Sequence, residues 1–462
     1  MSIARYFPSF GPIFFAFMCP FTGYSKNNGS FQVVAYNVQN LFDTDGISLY
    51  GDYKPEYYGD TELTNKLNMI CKVLRQIGGA TGPDILLLQE IEVDRTPEAH
   101  PSATTALIQA LQKAGMPYDF YELGYDPKDS PDNWPAVHCL TLSKFPILKS
   151  RLHPIRMARP ILETTIQVKG TPLTLFNNHW KSGASSLEME RHRLQNARTL
   201  RMRVDELKRV SPQADFLIGG DLNSHYNQAN VYKKTMEQTG INHILGSVGR
   251  PPPQKAGKLY NLWHELPVEQ RGSDAWRGNW GTLMHILIPH SLADGKGINY
   301  LNGSFKVAKF IGLNAVTGSE VPFAWSNDLG GFGASDHFPL VARFIIGNSK
   351  SKGTKSFEEV ENGLRKVVYS TAIKRAAKWR PESLNPSNYG QVFHFEGIVS
   401  RSKPLTLLAQ GHQIGLYSFD PKTRDALFSL TRETPVSGHG RLSRYRGQWQ
   451  FIIENMNWLK DI

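Results

Sequence analysis

Hydrophobic positions along the chain follow two different periods. Leu67, Ile70, Leu74 and Ile77 recur at three- and four-residue spacing, which predicts an amphipathic helix. Short continuous apolar runs bounded by turn residues predict buried strands instead. On these patterns we expect helices at 62–76, 102–114 and 186–210, and strands at 31–36, 84–88, 137–142, 161–168, 173–177, 216–218, 285–288 and 338–346. Because many strands are consecutive, the pattern predicts a layered α/β protein and not a strictly alternating barrel.

The amino-acid composition of the chain changes after residue 346. Residues 347–355 are small, polar and charged, which is typical of a linker. After this linker we expect one short basic helix at 372–379. Five short strands are then expected at 392–399, 405–409, 412–419, 426–431 and 449–453. A small closed or half-open barrel is the natural architecture for five such strands. Their number and the spacing of Gly397 and Gly411 resemble the oligonucleotide/oligosaccharide-binding (OB) fold.

These patterns divide the chain into four parts. We expect a leader segment at 1–30, an α/β domain at 31–346, a linker at 347–355 and a basic, mostly-β accessory module at 356–462. Hydrophobic residues make up 40% of the 462 residues and charged residues 20%, which excludes an intrinsically disordered chain.

Three cysteines are too few for a disulfide scaffold or for a cysteine-rich zinc site. Cys71 and Cys139 lie in apolar-periodic stretches, so we expect them to be buried as small apolar side chains. Cys19 follows an apolar run and is followed by Pro20.

The N-terminal residues resemble a secretory signal with a weak basic end. Arg5 precedes a short apolar run at 13–18, and a polar segment follows at 25–30. This predicts a secreted or periplasmic protein, with a cytoplasmic location as the alternative. No apolar run approaches the roughly 18 residues that a membrane-spanning helix needs, so no membrane span is expected.

The positive charge of the chain is concentrated near its C-terminus. The formal net charge is +11, from 52 Lys and Arg against 41 Asp and Glu, and residues 351–462 alone hold 17 against 10. Basic residues cluster there at 374–380 and again at 441–446, where Tyr445 and Trp449 are close in sequence. Basic side chains mixed with aromatic ones suit the binding of nucleic acid, while ordinary surface charge is the alternative interpretation. The sequence implies no protein partner.

Polar clusters stand where five of the apolar strands end or begin. They are Asn37, Gln89-Glu90, Asn177-Asn178-His179-Trp180-Lys181-Ser182, Gly219-Gly220-Asp221-Leu222-Asn223 and Ser335-Asp336-His337-Phe338-Pro339. Each cluster alone is typical of a turn. Together they can converge at one edge of a layered α/β protein, where such proteins build their sites.

The chemistry of these clusters points to a hard metal ion and a phosphate ester. Carboxylate and amide oxygens suit Mg²⁺, Mn²⁺ or Ca²⁺, whereas zinc prefers more His or Cys. Hydrolysis of a phosphodiester needs a metal to neutralise the phosphate, a base to activate water and hydrogen-bond donors for the phosphorus centre. The five clusters supply each of these groups.

The order of the clusters and the residues within them resemble the endonuclease/exonuclease/phosphatase family, which has the deoxyribonuclease I-like fold. The segments at 36–43, 178–182 and 335–339 are most similar to its secreted bacterial branch. The resemblance covers about 31–346 and implies a four-layer α/β/β/α sandwich with two mixed sheets. It also implies cleavage of phosphodiesters or phosphomonoesters that depends on a divalent metal.

The resemblance also implies roles at the metal and the attacking water. Glu90 would be the principal metal ligand, Asn37 would contact metal or phosphate, and Asp336 would lie near the metal. His337 would be the general base, and Asp221 would orient the attacking water.

On the substrate side, the resemblance implies that Asn223 hydrogen-bonds the phosphate. His179 would stabilise the phosphate or protonate the leaving oxygen. Lys181 is expected to be an auxiliary phosphate contact, and Asn178 beside it is expected to contact the substrate.

Two positions depart from the family pattern. Gln39 stands where the family usually carries an acidic residue, two positions after Asn37, so a charged metal partner is lost. Met284 stands where the family carries the Asp that holds the general-base His. His285, one residue further on, and the loop residues Asp274 and Asp294 are the candidates that would compensate for this Asp.

The sequence therefore predicts a divalent-metal-dependent phosphodiesterase, foremost an endonuclease acting on DNA or RNA. One alternative is a phosphatase or phosphodiesterase acting on small or lipid phosphates. The other is a catalytically weakened homologue that binds nucleic acid. The tryptophans at 276–280 can form a substrate-facing rim or can pack beneath a long loop, and the sequence leaves both interpretations open.

Overall fold

A computed structural model of the protein describes residues 29–96, 100–249, 257–347, 357 and 359–460. The expected leader segment and Cys19 lie outside these residues, apart from Gly29 and Ser30. The expected linker also lies outside them, apart from Gly347.

Four α-helices and sixteen strands are present in the described residues up to 347, besides short 3-10 and π-helical turns. The helices are α1 (Asp60–Gly78), α2 (Ala103–Lys113), α3 (Leu187–Val210) and α4 (Gln228–Val231). The strands are β1 (Ser30–Leu41), β2 (Ile85–Glu92), β3 (Phe120–Leu123), β4 (Val137–Ser143), β5 (Ile147–His153), β6 (Ile161–Val168), β7 (Thr171–His179), β8 (Phe216–Asp221), β9 (Ser247–Val248), β10 (Leu259–Asn261), β11 (Asp274–Trp276), β12 (Asn279–Gly281), β13 (Met284–Ile288), β14 (Ile298–Tyr300), β15 (Lys306–Val307) and β16 (Leu340–Ile346). Each helix and strand expected in this part is present, although several strands run longer than expected.

Two mixed sheets contain most of these strands. The first sheet has the order β14-β16-β1-β2-β4-β3, with β15 also paired to β16, and the second has the order β5-β6-β7-β8-β13-β10-β9. In the first sheet β1 is parallel to β2 and antiparallel to β16. In the second sheet β7 is parallel to β8 and antiparallel to β6. The expectation of two mixed sheets is confirmed.

The inner faces of the two sheets pack against each other. Val33 and Leu87 of the first sheet share one buried cluster with Leu175 and Ile286 of the second. Helices α1 and α2 pack on the outer face of the first sheet, and α3 packs on the outer face of the second. The layers are therefore helix, sheet, sheet and helix, the α/β/β/α sandwich that the sequence predicts.

The residues after 359 form a closed β-barrel with two short helices. The elements are α5 (Ser370–Lys374), β17 (Ala377–Lys378), β18 (Val392–Ser402), β19 (Leu405–Ala409), β20 (His412–Tyr417), α6 (Pro421–Phe428), β21 (Pro435–Tyr445), β22 (Gln448–Ile452) and β23 (Leu459–Lys460). The pairing runs β18-β19-β20-β22-β21, and β21 pairs back to β18, which closes the ring. The expectation of a small barrel is confirmed.

Two expectations for this module are wrong in detail, and one strand has no counterpart among the expectations. The strand expected at 426–431 is the helix α6, because Asp420 caps its first turn by accepting from Thr423 N and Pro421 stands at its start. The helix expected at 372–379 is the shorter α5. The strand β21 was not expected, because Gly438 and Gly440 interrupt its apolar pattern; a Cβ at Gly440 would lie 2.5 Å from Phe451 Cβ, so the barrel needs glycine there.

The barrel and the sandwich share a hydrophobic core. Trp280 and Phe338 of the α/β part belong to the same buried cluster as Trp379 and Phe395 of the module. Backbone contacts reinforce this junction, since Trp280 N donates to Arg365 O at 2.7 Å. The two parts are therefore packed together and not merely tethered.

The buried positions agree with the expected roles of the described cysteines. Cys71 and Cys139 are free thiols buried in the fold. Among the described residues, no helix combines the length and the apolar character needed to cross a membrane.

Candidate functional site

The predicted polar clusters meet at one end of the two packed sheets. Asn37 and Glu90 stand near the carboxyl ends of the parallel strands β1 and β2, and His179 and Asp221 end the parallel strands β7 and β8. The segment before β16 brings His337 to the same place. Parallel neighbours present their carboxyl ends at one edge, which is why the residues converge.

Asn37 joins the two sheets at the centre of the site. Its fully buried side chain donates from Nδ2 to Glu90 Oε1 at 3.0 Å and to Asp221 Oδ2 at 3.1 Å. Its Oδ1 accepts from the backbone N–H of Gln39 at 2.9 Å, where the strand bulges. One amide therefore fixes a carboxylate from each sheet, and the distance between the two carboxylates is set by the amide.

Two imidazoles face the same carboxylates. His179 Nε2 lies 3.6 Å from Glu90 Oε1 and 3.7 Å from Asp221 Oδ2. His337 Nε2 lies 3.7 Å from Asp221 Oδ2 and 3.9 Å from Asp336 Oδ1. These separations are longer than hydrogen bonds, so both Nε2 atoms are free to face a water molecule or a phosphate oxygen.

Burial and charge set different protonation states for these groups. Burial raises the pKa of Glu90 and of Asp221. Burial, with the nearby charges of Arg159 and His337, holds the pKa of His179 well below its usual value, so this imidazole is neutral. Burial alone would lower the pKa of His337, but the negative charges around it outweigh burial and raise its pKa to about 9.

Asn223 completes the turn after β8. Its backbone N–H donates to Asp221 Oδ1 at 2.8 Å, and its Nδ2 donates to Trp180 O at 3.1 Å. Its backbone is left-handed, with φ 48°, a conformation that Asn tolerates better than most residues. Asn223 therefore fixes the orientation of the Asp221 carboxylate.

One residue expected at the substrate is held elsewhere, and the backbone of a second is anchored to α3. Asn178 points to the opposite face of β7, where its Nδ2 donates to Phe176 O at 2.8 Å and its Oδ1 accepts from Trp180 Nε1 at 3.0 Å. The backbone carbonyl of Lys181 accepts from Arg193 at 3.0 Å. The structure brings the other seven expected residues together, but it does not bring Asn178 into the cluster.

Gln39 turns away from the carboxylates. Its Nε2 donates to Trp325 O at 3.2 Å and its Oε1 accepts from Trp325 N at 2.7 Å. Lys66 stabilises the same bulge, since its Nζ donates to Gln39 O at 3.1 Å and to Ala334 O at 3.0 Å. The Gln39 amide therefore fastens the backbone at Trp325 and does not face Glu90 or Asp221.

Met284 is buried in the core between the sheets, where its thioether cannot hold a histidine. Of the three candidates for compensation, His285 bonds Ser224 O at 2.8 Å, away from His337. Asp294 accepts from Lys296 N in a surface turn. Asp274 is buried, pairs with His337 through an isolated backbone bridge, and its charge helps to raise the pKa of His337.

No carboxylate bonds the far side of the His337 ring among the described residues. Nδ1 of His337 and Nδ1 of His179 are both buried without a hydrogen-bond partner there. Oδ1 of Asp274 is occupied by Ser273 Oγ at 2.9 Å and Leu283 N at 3.0 Å. Asp274 therefore acts on His337 through its charge, and no direct hydrogen bond joins the two.

Arg159 belongs to the site although sequence reasoning missed it. Its positive charge lowers the pKa of both Glu90 and His179, and its Nη2 donates to Tyr50 Oη at 3.3 Å. It stands in a segment between β5 and β6 that carries no motif, and only the folded chain brings it near strand ends far away in sequence.

The donor set at this edge fits a magnesium-like ion. Among the described residues, no three carboxylate, imidazole or thiol groups are close enough to cage a metal by themselves. Mg²⁺ needs no such cage, because it keeps several waters and takes one or two carboxylates together with a substrate phosphate. Glu90 and Asp336 offer such a pair, and the charge of Asp336 raises the pKa of Glu90, a repulsion that a shared cation would relieve.

Comparison with known proteins agrees with this arrangement. The family model described as "Endonuclease/Exonuclease/phosphatase family" matches residues 32–345. Members of that family are hydrolases that act on phosphodiester bonds. No curated relative matches the chain.

Several solved structures are similar to this chain at low sequence identity. Truncated TDP2 of Caenorhabditis elegans covers 68% of this chain and 98% of its own, at 16% identity and a TM-score of 0.41. The human Nocturnin catalytic domain with bound sulfate anion covers 69% and 94%, at 17% identity and 0.39. An endonuclease/exonuclease/phosphatase family protein from Bacteroides thetaiotaomicron covers 69% and 98%, at 12% identity and 0.40.

Proposed function

The chain belongs to the endonuclease/exonuclease/phosphatase family, and from that membership we propose that it is a divalent-metal-dependent nuclease that hydrolyses phosphodiester bonds of DNA or RNA. One observation carries the proposal: Asn37 holds Glu90 and Asp221 beside two imidazoles whose Nε2 atoms are unengaged. A hydrolytic site for a phosphate ester needs this combination of carboxylates and proton carriers.

In this proposal Glu90 and Asp336 would hold the cation, and Asn37 keeps Glu90 in place. When bound, a divalent cation neutralises the phosphate charge and offsets the acidic charges that keep His337 protonated. Asp336 is half exposed, with 52% of its side chain accessible, so it is open to an incoming phosphate and its waters.

The two imidazoles have different tasks in this proposal. His337 Nε2, beside Asp221 Oδ2, takes the proton of the attacking water, and Asp221 orients that water. His179 is neutral and donates a hydrogen bond from Nε2 to a phosphate oxygen while the P–O bond to the leaving oxygen breaks, and that oxygen takes its proton from solvent. Arg159 adds a positive charge at the same edge, and Asn223 keeps Asp221 in the orientation that the water needs.

The barrel extends the proposal to a nucleic-acid substrate. Its strands pair in the order β18-β19-β20-β22-β21, and the helix α6 lies between β20 and β21 along the chain. This arrangement supports an OB-like module, and OB folds bind oligonucleotides. Lys374, Arg375 and Arg380 are exposed. The second basic cluster contributes less, because Arg441 pairs with Glu454 at 2.8 Å and Arg444 pairs with Asp328 at 3.3 Å.

Met284 and the unpartnered Nδ1 of His337 favour a second candidate, a nucleic-acid-binding homologue with weak catalysis. A histidine without an orienting partner is a poorer base, because both its ring orientation and its tautomer are less well fixed.

A cleavage assay separates these functions. We expect the full chain to degrade plasmid DNA or RNA with Mg²⁺, and EDTA to abolish the reaction. His337→Ala should lower kcat by about 100- to 10,000-fold, the usual contribution of a general base. His192→Ala on the outer helix α3 is the matched control and should leave kcat unchanged.

Three other outcomes would each contradict a different part of the proposal: the base, the cleavage or the substrate class. Cleavage that persists in His337→Ala would remove His337 as the base. Salt-sensitive binding of DNA without cleavage would support the weakened homologue. Hydrolysis of small or lipid phosphates, tested in parallel and without cleavage of polynucleotides, would assign a different substrate class.

A further inference from the structure

A two-stranded hairpin lies between the candidate active site and the barrel. It consists of β11 (Asp274–Trp276) and β12 (Asn279–Gly281), joined by Arg277 and Gly278 with φ 48° and 72°. Two positive φ values are the signature of a tight type I′ turn. The hairpin is a sheet of its own, so its strands are not extensions of either large sheet.

One end of the hairpin is fastened to the segment that carries His337. Asp274 pairs with His337 through a backbone bridge, and Phe338 N donates to Ser273 O at 2.6 Å. The charge of Asp274 acts on both His337 and Asp221. The hairpin is therefore a fixed wall of the candidate active site.

The two faces of the hairpin have different surroundings. Trp280 is only 7% exposed and packs in the core shared with the barrel. Trp276 is 69% exposed. Side chains two residues apart on a strand share a face, about 7 Å apart, so Trp276 follows Asp274 on the side of the active site. The tryptophans at 276–280 thus divide into one packing residue and one residue at the rim.

Trp276 is part of an exposed aromatic and basic surface. The guanidinium of Arg277 lies 5.5 Å from the ring centroid of Trp276 and 5.6 Å from that of Phe419. Phe419 follows the barrel strand β20 and contacts Tyr417 edge-on, with the ring centroids 5.2 Å apart. We call Trp276, Arg277 and Phe419 the hairpin platform.

The chemistry of the hairpin platform matches a single strand of nucleic acid. Exposed aromatic faces stack on nucleobases whatever their sequence, and an arginine beside them pairs with the phosphate backbone. The platform runs from the wall beside His337 to the barrel, so a strand bound there has one phosphate at the active site and its continuation on the barrel.

We propose that the hairpin platform is a nucleotide subsite in which Trp276 stacks on a base next to the scissile phosphate and Arg277 pairs with the backbone. The inference rests on the proposed nuclease function and deepens it, because it predicts that a single strand is the bound form. A duplex keeps its bases stacked on one another and offers no free base face to Trp276.

Binding tests the subsite without any need for cleavage. The affinity of the full chain for fluorescein-labelled dT12 and rU12 is measured by anisotropy in EDTA. Trp276→Ala should raise Kd about 10- to 100-fold, since stacking on one aromatic residue contributes that much. Trp276→Phe should recover most of the affinity. Met202→Ala, which truncates a 72% exposed side chain on α3, should bind like the wild type.

The salt dependence identifies the role of Arg277. Arg277→Ala should make the plot of log Kd against log salt shallower by about 0.7, the value for one phosphate contact on a single strand. An unchanged slope would remove the backbone contact from the proposal. The dT12 and rU12 arms distinguish a DNA from an RNA strand.

Cleavage adds a readout that a merely structural role would not move. The ratio of kcat/KM for dT12 to that for bis(4-nitrophenyl) phosphate should fall about 10- to 100-fold in Trp276→Ala. Equal losses on both substrates would mean that the substitution disturbs the His337 wall, and would overturn the subsite. Wild-type affinity for dT12 and rU12 in Trp276→Ala would also overturn it. If the wild type cleaves nothing, the nuclease proposal fails, and the binding series still decides the subsite.

Discussion

Gln39 illustrates how one side chain can change its task within a family site. The family resemblance places an acid at this position. The Gln39 amide instead makes two hydrogen bonds to the backbone of Trp325, since it donates to the carbonyl and accepts from the N–H. A carboxylate can accept but cannot donate, so it would face the Trp325 carbonyl unfavourably. Gln39 therefore cannot be exchanged for the family residue without loosening the 325 loop.

We expect Gln39→Glu to lower the free energy of unfolding by about 1–3 kcal/mol, since a buried acceptor loses its donor. Activity should not rise, because the side chain points to the loop. Urea denaturation and a cleavage assay measure the two effects, with the exposed Gln213→Glu as control. Higher activity with unchanged stability would show that position 39 reaches the metal.

Site residues could be predicted from sequence only where a local pattern reveals them. Glu90 and Asp221 follow short apolar runs, and that placement alone marks them as strand-end residues. Arg159 has no such signal, and the link from Gln39 to Trp325 joins residues 286 positions apart. Asn178 sits within a motif, but the alternation of β7 turns it to the other face from His179, so a one-residue difference in register decides its role.

Among the elements, the long helices and central strands were predictable because burial of one face imposes a period. The helix α3 shows this, with Ala197, Leu200 and Val204 forming its buried stripe. The barrel strands were harder, since a short strand that needs glycine for close packing loses its apolar period. The helix α6 has only two buried residues, so it has no clear apolar period, and Asp420 and Pro421 at its start are the only sequence signals of a helix.

Asp215 lies just before β8, at the end of that strand far from His337, and it links the two sheets. Its Oδ2 accepts from Ile298 N at 2.9 Å, which joins β8 of the second sheet to β14 of the first. Burial raises the pKa of Asp215 to about 7, so the folded state holds its proton more strongly than the unfolded chain does. Its charge therefore costs stability above pH 7, and that cost vanishes below the unfolded value near 4.

We expect Asp215→Asn to be more stable than the wild type by about 1–2 kcal/mol at pH 8, a value reduced for the partial exposure of the carboxylate. The amide keeps an acceptor for Ile298 N without a buried charge. The difference should shrink as pH falls through about 7 towards 4, and urea denaturation at several pH values measures it. A difference that does not change with pH would contradict the role given to this charge.

At the scale of the whole molecule, the sandwich and the barrel should unfold together. Trp280 and Phe338 share one buried cluster with Trp379 and Phe395, so neither part has a complete core without the other. We expect a single urea transition with the same midpoint by tryptophan fluorescence and by far-UV circular dichroism.

Two tryptophans of one hairpin give a matched test of this coupling. Trp280→Ala should lower the free energy of unfolding by about 3–5 kcal/mol, whereas Trp276→Ala should leave it nearly unchanged, because only Trp280 is buried. Two separate transitions in the wild type would show that the parts are independent.

The shared core also has a consequence for how this protein can diverge. A module joined by a tether can be gained, lost or exchanged by gene fusion, because its partner already covers its own surface. Here the removal of the barrel would expose Trp280 and Phe338 to water, and a foreign barrel would have to match their shape. Chimeras made by joining this α/β part to another module should therefore need compensating substitutions at that junction, and the two parts are expected to descend together.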